Sequence, residues 1–296
     1  MAAKVPLLEN PYTPRGRWYK GAFHFHSTNS DGSLTPAESI RKYADAGFDV
    51  IGLSDHGCVS VVPPEWFPGK LLIPTGEFSW PHILHIGAKG RGRVREGSFK
   101  QVLARVRRER GFAVFCHPAW SNHTWQETMD AWPVDAVEVL NYVTEIENAT
   151  GYSIERWDMM LQAGRRVWGF ADDDSHFRPA YPQYGGGYVM IRAPRLTQDA
   201  ILRALKGGSF YSTMGPEFHD IRVTRGQVKV RTSPVVELRA IADGVGAGQC
   251  YFSKRPCRDW TVRYDGWWAK PRRYLRLELK DTRGRTAWSN PLFVRR

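Results

Sequence analysis

Short apolar runs in the first 180 residues repeatedly end on a histidine or a carboxylate, and this repetition constrains the fold more than any other feature. His24-Phe25-His26 comes first, followed at once by Ser27, Asn29, Ser30, Asp31 and Gly32. Val50-Ile51-Gly52-Leu53-Ser54 delivers Asp55-His56, and Leu71 to Thr75 delivers Gly76-Glu77. Phe112 to Cys116 delivers His117-Pro118, and Val167 to Ala171 delivers Asp172-Asp173-Asp174-Ser175-His176. Runs of this length bounded by polar residues read as buried parallel strands. Parallel strands present their carboxyl ends on one face, so the side chains that follow them converge there, as in a barrel active site. In a strand, residues two apart point the same way, so His24 and His26 can reach one metal ion.

Helix starts lie between these runs. Thr35-Pro36-Ala37-Glu38 combines an N-cap, a proline at the first helical position and a capping-box glutamate. Ser98 with Gln101 and Thr124 with Glu127 supply two more starts, and Thr197 a fourth. Phe99, Val102, Leu103 and Val106 form one apolar stripe, and Arg105, Arg107, Arg108 and Arg110 fall mostly off it, which reads as a solvated face. Alternation of strand and helix from about Gly21 to about Gly215 implies an α/β architecture.

The string His24-x-His26-Ser27-x-x-Ser30-Asp31-Gly32, with Ser54-Asp55-His56, Gly76-Glu77, His117-Pro118 and Asp174-Ser175-His176, resembles the polymerase and histidinol phosphatase (PHP) superfamily of metal-dependent hydrolases. The resemblance implies a distorted seven-stranded β/α, TIM-like barrel over residues 1–215, with two or three divalent metal ions at the strand ends. It places His24, His26, Glu77 and Asp174 on one ion and Asp31, His56 and His176 on a second. Glu77 would bridge to a third ion held by His82 and His117. Pro81 to Gly87 offers two histidines; the family's stands five residues before a glycine, which selects His82 over His85. Mixed imidazole and carboxylate ligands without clustered cysteines suit manganese, zinc or iron. Asp55 reads either as the carboxylate that orients His56 or as a solvent-facing strand end. His85, His123 and His219 read as structural or substrate-proximal.

From Gly215-Pro216 onward the texture changes. Val228 to Arg231, Val236 to Ala240 and Tyr274 to Leu279 alternate apolar and polar residues, the mark of half-exposed antiparallel strands, and residues 216–296 are expected to form a small antiparallel β-sandwich. Trp18-Tyr19-Lys20-Gly21 and the ending Ala287 to Val294 also resemble the carbaryl-hydrolase-like branch of the superfamily, which carries such a C-terminal domain. Most of the net charge of +12 lies here, with 18 Lys and Arg against 8 Asp and Glu in residues 216–296. Trp260, Tyr264, Trp267 and Trp268 are stacking candidates for nucleic acid, but core packing is the favoured reading, because no nucleic-acid motif accompanies them.

The expected activity is hydrolysis, first as a phosphoesterase in which a metal-bridging hydroxide attacks and Arg178 stabilises the developing charge, with Arg165 and Arg166 in reserve. Trp120 stands where phosphoesterases of the superfamily often carry a glycine and an arginine after His-Pro. That departure favours a carboxylic ester, amide or carbamate as the rival substrate. A metal-binding module without catalysis is the third reading. The expected partner is an anionic small molecule. No apolar run is long enough to cross a bilayer, and a cytoplasmic location is expected. Cys58, Cys116, Cys250 and Cys257 lack close paired spacing, so reduced thiols are expected, with Cys250–Cys257 the alternative bridge.

Overall fold

The apolar runs become strands, and the polar residues at their ends gather on one side. In the computed structural model, residues 5–90, 92–93, 96–265 and 271–295 are described. One sheet of eleven strands runs in the order Phe218–Thr224, Gln227–Ala242, Tyr274–Lys280, Thr286–Ser289, Phe210–Thr213, Tyr188–Ala193, Arg17–Ala22, Val50–Ile51 and Leu71–Leu72. Gly248–Arg263 and Leu292–Phe293 pair with strands of this path. A second sheet of five runs Trp168–Asp172, Ala136–Asn141, Phe112–Phe115, Ile83–Ile86 and Thr75–Phe78.

The architecture is α/β with mixed sheets, and the expected TIM-like barrel does not close. Arg17–Ala22, Val50–Ile51 and Leu71–Leu72 pair in parallel, as do Phe112–Phe115, Ala136–Asn141 and Trp168–Asp172. Ile83–Ile86, however, lies antiparallel between Thr75–Phe78 and Phe112–Phe115, and Tyr188–Ala193 is antiparallel to Arg17–Ala22. Among the described residues the β-pairing between the two sheets consists of single bridges, Phe25 with Ser175 and His56 with Glu77. Two of these bridge residues are themselves candidate ligands. At the first seam Asp174 and Phe177 take φ of 59° and 55°, a left-handed turn that ends the strand and breaks the ladder.

The helix starts follow their capping chemistry. Thr35 accepts from the Glu38 N–H while Glu38 accepts from the Thr35 N–H at 2.9 Å, opening Pro36–Asp45. The same reciprocal pair opens Trp125–Asp130 at Thr124 and Glu127, and Thr197 caps Gln198–Lys206. Phe99–Glu109 buries Val102, Leu103 and Val106 against the second sheet, in the same core as Phe115 and Val137.

The C-terminal strands, expected as a small antiparallel β-sandwich, are hydrogen-bonded into the first sheet. They continue the first sheet, because Thr286–Ser289 pairs with Phe210–Thr213 across the 215/216 boundary. Register shifts between Arg231 and Glu237 bend the long Gln227–Ala242 strand, and Leu8, Tyr12, Val228, Leu238, Leu277 and Val262 fill one core under it. Trp260 and Tyr264 belong to that core, which removes them as stacking platforms; Trp267 and Trp268 lie outside the described residues. All four cysteines are free, and Cys250 and Cys257 share one strand, Gly248–Arg263. Among the described residues no helix is long and apolar enough to cross a membrane.

His85 faces away from the other histidines. Its ring stacks on Phe78 at 6.4 Å and Nε2 lies 3.7 Å from Glu109. Burial pushes its pKa down to about 4 against the opposing pull of Glu109. The unfolded chain takes a proton on this residue below about pH 6.5, whereas the folded chain refuses it. This contribution to stability is therefore complete above that pH and is lost as the pH falls toward 4. His85→Leu should flatten the acid limb, shrinking the stability lost between pH 7 and 4.5 by on the order of 1–3 kcal/mol in urea unfolding. An unchanged pH dependence would contradict the assignment.

Candidate metal centre

The centre is built around one carboxylate. Glu77, on the Thr75–Phe78 strand, is fully buried. Its Oε2 lies 3.1 Å from His24 Nε2, 3.4 Å from His26 Nε2 and 3.2 Å from His56 Nδ1. Its Oε1 lies 3.0 Å from His82 Nδ1 and 3.5 Å from His117 Nε2. Asp174 Oδ1 sits 3.1 Å from His24 Nε2 and 3.0 Å from His26 Nε2. At the outer side, Asp31 Oδ2 lies 3.2 Å from His176 Nε2 and 3.8 Å from His56 Nε2. The rings of His56 and His176 both stack with that of His26, each with its centroid 4.4 Å away.

Local backbone geometry brings these groups together. His24 and His26 alternate with Phe23 and Phe25, whose rings go to separate cores, so both imidazoles turn inward. The Thr75–Phe78 and Ile83–Ile86 hairpin returns the chain so that His82, just before its second strand, meets Glu77. His82, His117 and Asp174 all have left-handed φ, at 60°, 27° and 59°. Such conformations cost about 1–3 kcal/mol each and persist where function requires them.

The electrostatics suit bound cations. Burial would raise the pKa of Glu77, but His24 and hydrogen bonds from His117, His24 and His82 hold it well below the usual carboxylate range. Asp174 behaves alike under His24 and His26. Burial would lower His24, His117 and His176, yet neighbouring carboxylates raise all three; His56 stays lowered by burial. His26 Nδ1 and His56 Nδ1 are buried with no hydrogen-bond partner. Unpartnered imidazole nitrogens beside ionised carboxylates are what a divalent ion satisfies. Among the described residues four sets bring ligand atoms within 4.8 Å of one another: His26, Asp31, His56 and His176; His24, His26 and Asp174; His24, Glu77 and His117; and, on the buried inner side, His24, Cys116 and Glu138. The residues therefore fit two or more ions, and the geometry adds His26 to Asp31, His56 and His176, and His24 to Glu77 and His117.

Two residues expected at the site are elsewhere. Asp55 is fully buried and does not orient His56; it accepts from the Ser27 N–H at 2.6 Å, from the Ser27 and Ser30 hydroxyls, and from Ser60. It braces the loop that carries Asp31. Arg178 is half-exposed and turned onto Glu147 at 3.6 Å. The reserves are also remote, since Arg166 pairs with Glu9 and Arg165 lies over Trp132. His123 packs against Phe115 and Trp80, and His219 pairs with Glu217 at the surface.

Glu138 was not among the sequence candidates. It is fully buried on Ala136–Asn141, with Oε1 2.8 Å from His24 Nδ1. Its Oε2 accepts from the His117 N–H at 2.7 Å and from Asn141 Nδ2 at 3.0 Å. Asn141 also donates to Asp174 Oδ2 at 3.1 Å and caps the Tyr142–Asn148 helix. A lone glutamate inside the apolar run Ala136-Val137-Glu138-Val139-Leu140 was the available signal. Asp173 is also buried away from the centre. Tyr43 and the N–H groups of Gly185, Gly186 and Gly187 donate to it, and burial raises its pKa to about 6. A Cβ at Gly186 would stand 2.3 Å from the Tyr142 ring, which explains the glycine there.

No family model matches the sequence, and no curated protein matches it. Among solved structures, a two-domain protein from Bacteroides vulgatus containing a predicted PHP-like metal-dependent phosphoesterase aligns over 95% of this chain and 95% of its own, with a TM-score of 0.54 at 17% identity. An amidohydrolase from Chromobacterium violaceum with bound sulfate and no metal aligns over 63% of this chain and 95% of its own, with a TM-score of 0.43 at 15% identity. These comparisons do not separate out the carbaryl-hydrolase-like branch.

If Glu138 fixes His24 so that Nε2 faces the ions, Glu138→Gln should weaken metal affinity about 10–100-fold in a chelator competition while the chain stays folded. Unchanged affinity would remove Glu138 from the centre. The overall path of the chain, through both of its regions, follows that of the two-domain protein from Bacteroides vulgatus.

Proposed function

We propose that the chain is a metal-dependent hydrolase and that its substrate is a phosphate ester. The carrying observation is the set of six histidines around Glu77, Asp174 and Asp31, some fully buried and some in contact with solvent. His24 and His26 are fully buried, whereas the side chains of His56 and His82 are 27% and 20% exposed and that of Asp31 is 50% exposed, which marks the side of entry. Manganese, zinc or iron would be held by His24, His26, Glu77 and Asp174, by Asp31, His56 and His176, and by His82 and His117 with Glu77. When bound, such ions lower the pKa of water and neutralise the charge of a phosphoryl group.

The protein's own groups prepare the site. Glu77 and Asp174 stay ionised and offer lone pairs to cations. Glu138 holds His24 Nδ1, leaving Nε2 turned toward Glu77 and Asp174. Trp120 stands edge-on to His117 at 5.0 Å and to His82 at 6.1 Å, and Trp80 to His82 at 6.4 Å. Both tryptophans are about half exposed and give the mouth an apolar wall. Arg178 meets a substrate only by leaving Glu147. Arg178→Ala should lower turnover without releasing metal, and unchanged turnover would exclude it from the reaction.

That wall supports a second reading, hydrolysis of a carboxylic ester, amide or carbamate with an aromatic group. Nitrophenyl phosphate, a bis-nitrophenyl phosphate diester and nitrophenyl acetate, assayed on the manganese-loaded protein, separate the two. The proposal expects phosphate turnover that Glu77→Gln abolishes. Turnover of the acetate alone would favour the second reading, and turnover of none, with metal bound, would leave a binding module.

A further inference from the structure

A cavity of about 780 Å3 lies among Arg107, Arg110, Trp132, Arg166, Trp168 and Lys206. A neighbouring cavity of about 580 Å3 shares Trp132 and Arg166 with it and adds Arg165, Arg272 and Arg273. The two form one basin at the amino ends of the second sheet, where Phe112–Phe115 and Trp168–Asp172 begin; the metal centre lies past their carboxyl ends. Five residues of strand separate the faces, roughly 17 Å.

Some of these cations have local partners. Lys206 Nζ donates to the Arg110 carbonyl at 2.7 Å, capping a helix end, while Arg166 pairs with Glu9 and Arg273 with Asp243. Arg107, Arg110 and Arg272 have no side-chain hydrogen bond or ion pair among the described residues, and Arg165 Nε is buried without a partner. The four guanidinium groups line the two cavities, Arg107 and Arg110 one and Arg165 and Arg272 the other, with Asp135 the acid that feels Arg107. Asp135 is the buried acid there; it accepts from the Ala113 N–H at 2.8 Å, and burial pushes its pKa up while Lys206 and Arg107 pull it down.

We propose that this basin binds a compact polyphosphate carrying a planar ring, of the nucleoside triphosphate class. Arginine forks take phosphate oxygens in pairs, and Trp168, on the wall of the larger cavity, offers a ring to stack against, while Trp132 already carries Arg165. Two adjoining cavities that share Trp132, Arg166 and Phe293 favour a compact ligand over an extended strand. The site is separate from the hydrolytic reading and does not depend on it.

The test is calorimetric titration of ATP into the full chain in EDTA, which keeps metal ions out of the other face. Adenosine, tripolyphosphate and a dodecamer of thymidylate are titrated in parallel. The expected order is ATP tighter than tripolyphosphate, with adenosine not binding. The pair Arg107→Glu and Arg272→Glu should weaken ATP binding by about tenfold or more. Arg107→Lys with Arg272→Lys, which keeps the charge if the reversal fails to fold, should hold ATP within several-fold and less tightly than the wild type. ATP binding no tighter than adenosine would overturn the proposal. So would a folded charge-reversal variant or a lysine pair with wild-type affinity, or a dodecamer that binds where ATP does not.

Discussion

A single buried carboxylate organises this protein. Five imidazoles lie within 3.5 Å of Glu77, and all of the strands and turns around it serve to bring them there. Burying an anion is costly unless opposite charge and hydrogen bonds compensate for it. Protonated imidazoles meet that need only in part, because the same rings also face Asp174 and Asp31. Divalent ions meet it fully, since each lets several rings stay neutral while the carboxylates remain ionised. The left-handed backbone at His82, His117 and Asp174 is the conformational cost of that convergence.

Much of this was legible in the sequence because it is local. Two histidines two residues apart on a strand must share a face, and a capping box declares its own helix, so His24, His26 and the starts at Thr35 and Thr124 followed from spacing alone. The rest depends on partners distant in sequence. Asp55 could be read as serving its neighbour His56, but three serines take its oxygens. Glu138 sits in an ordinary apolar run, and only the fold shows that His24 stands opposite it. Barrel closure failed as an expectation because strand direction is invisible to periodicity. Ile83–Ile86 has the apolar content of its parallel neighbours yet runs against them, since the turn after Phe78 reverses the chain. The same limit applies to the C-terminal strands, whose alternation reported one exposed face but not that their sheet is continuous with the first.

The basic balance also takes a different meaning in three dimensions. It was read as the property of residues 216–296, with the arginines of Phe99–Glu109 as a solvated face. The basin draws on both, since Arg107 and Arg110 line one cavity, Arg272 and Arg273 the other, and Trp132 and Phe293 belong to both. Acidic and imidazole groups occupy one end of the second sheet and guanidinium groups the other. Two chemically opposite surfaces thus arise from one set of short strands.

Metal stoichiometry tests the central claim most directly. The chain is stripped with chelator, reloaded with excess manganese, freed of unbound ion, and its metal per chain measured by mass spectrometry beside Glu77→Gln. The account predicts about two or three equivalents on the wild type and a loss of most of them on the variant. A wild-type chain that retains none, or a variant that retains as many, would contradict it.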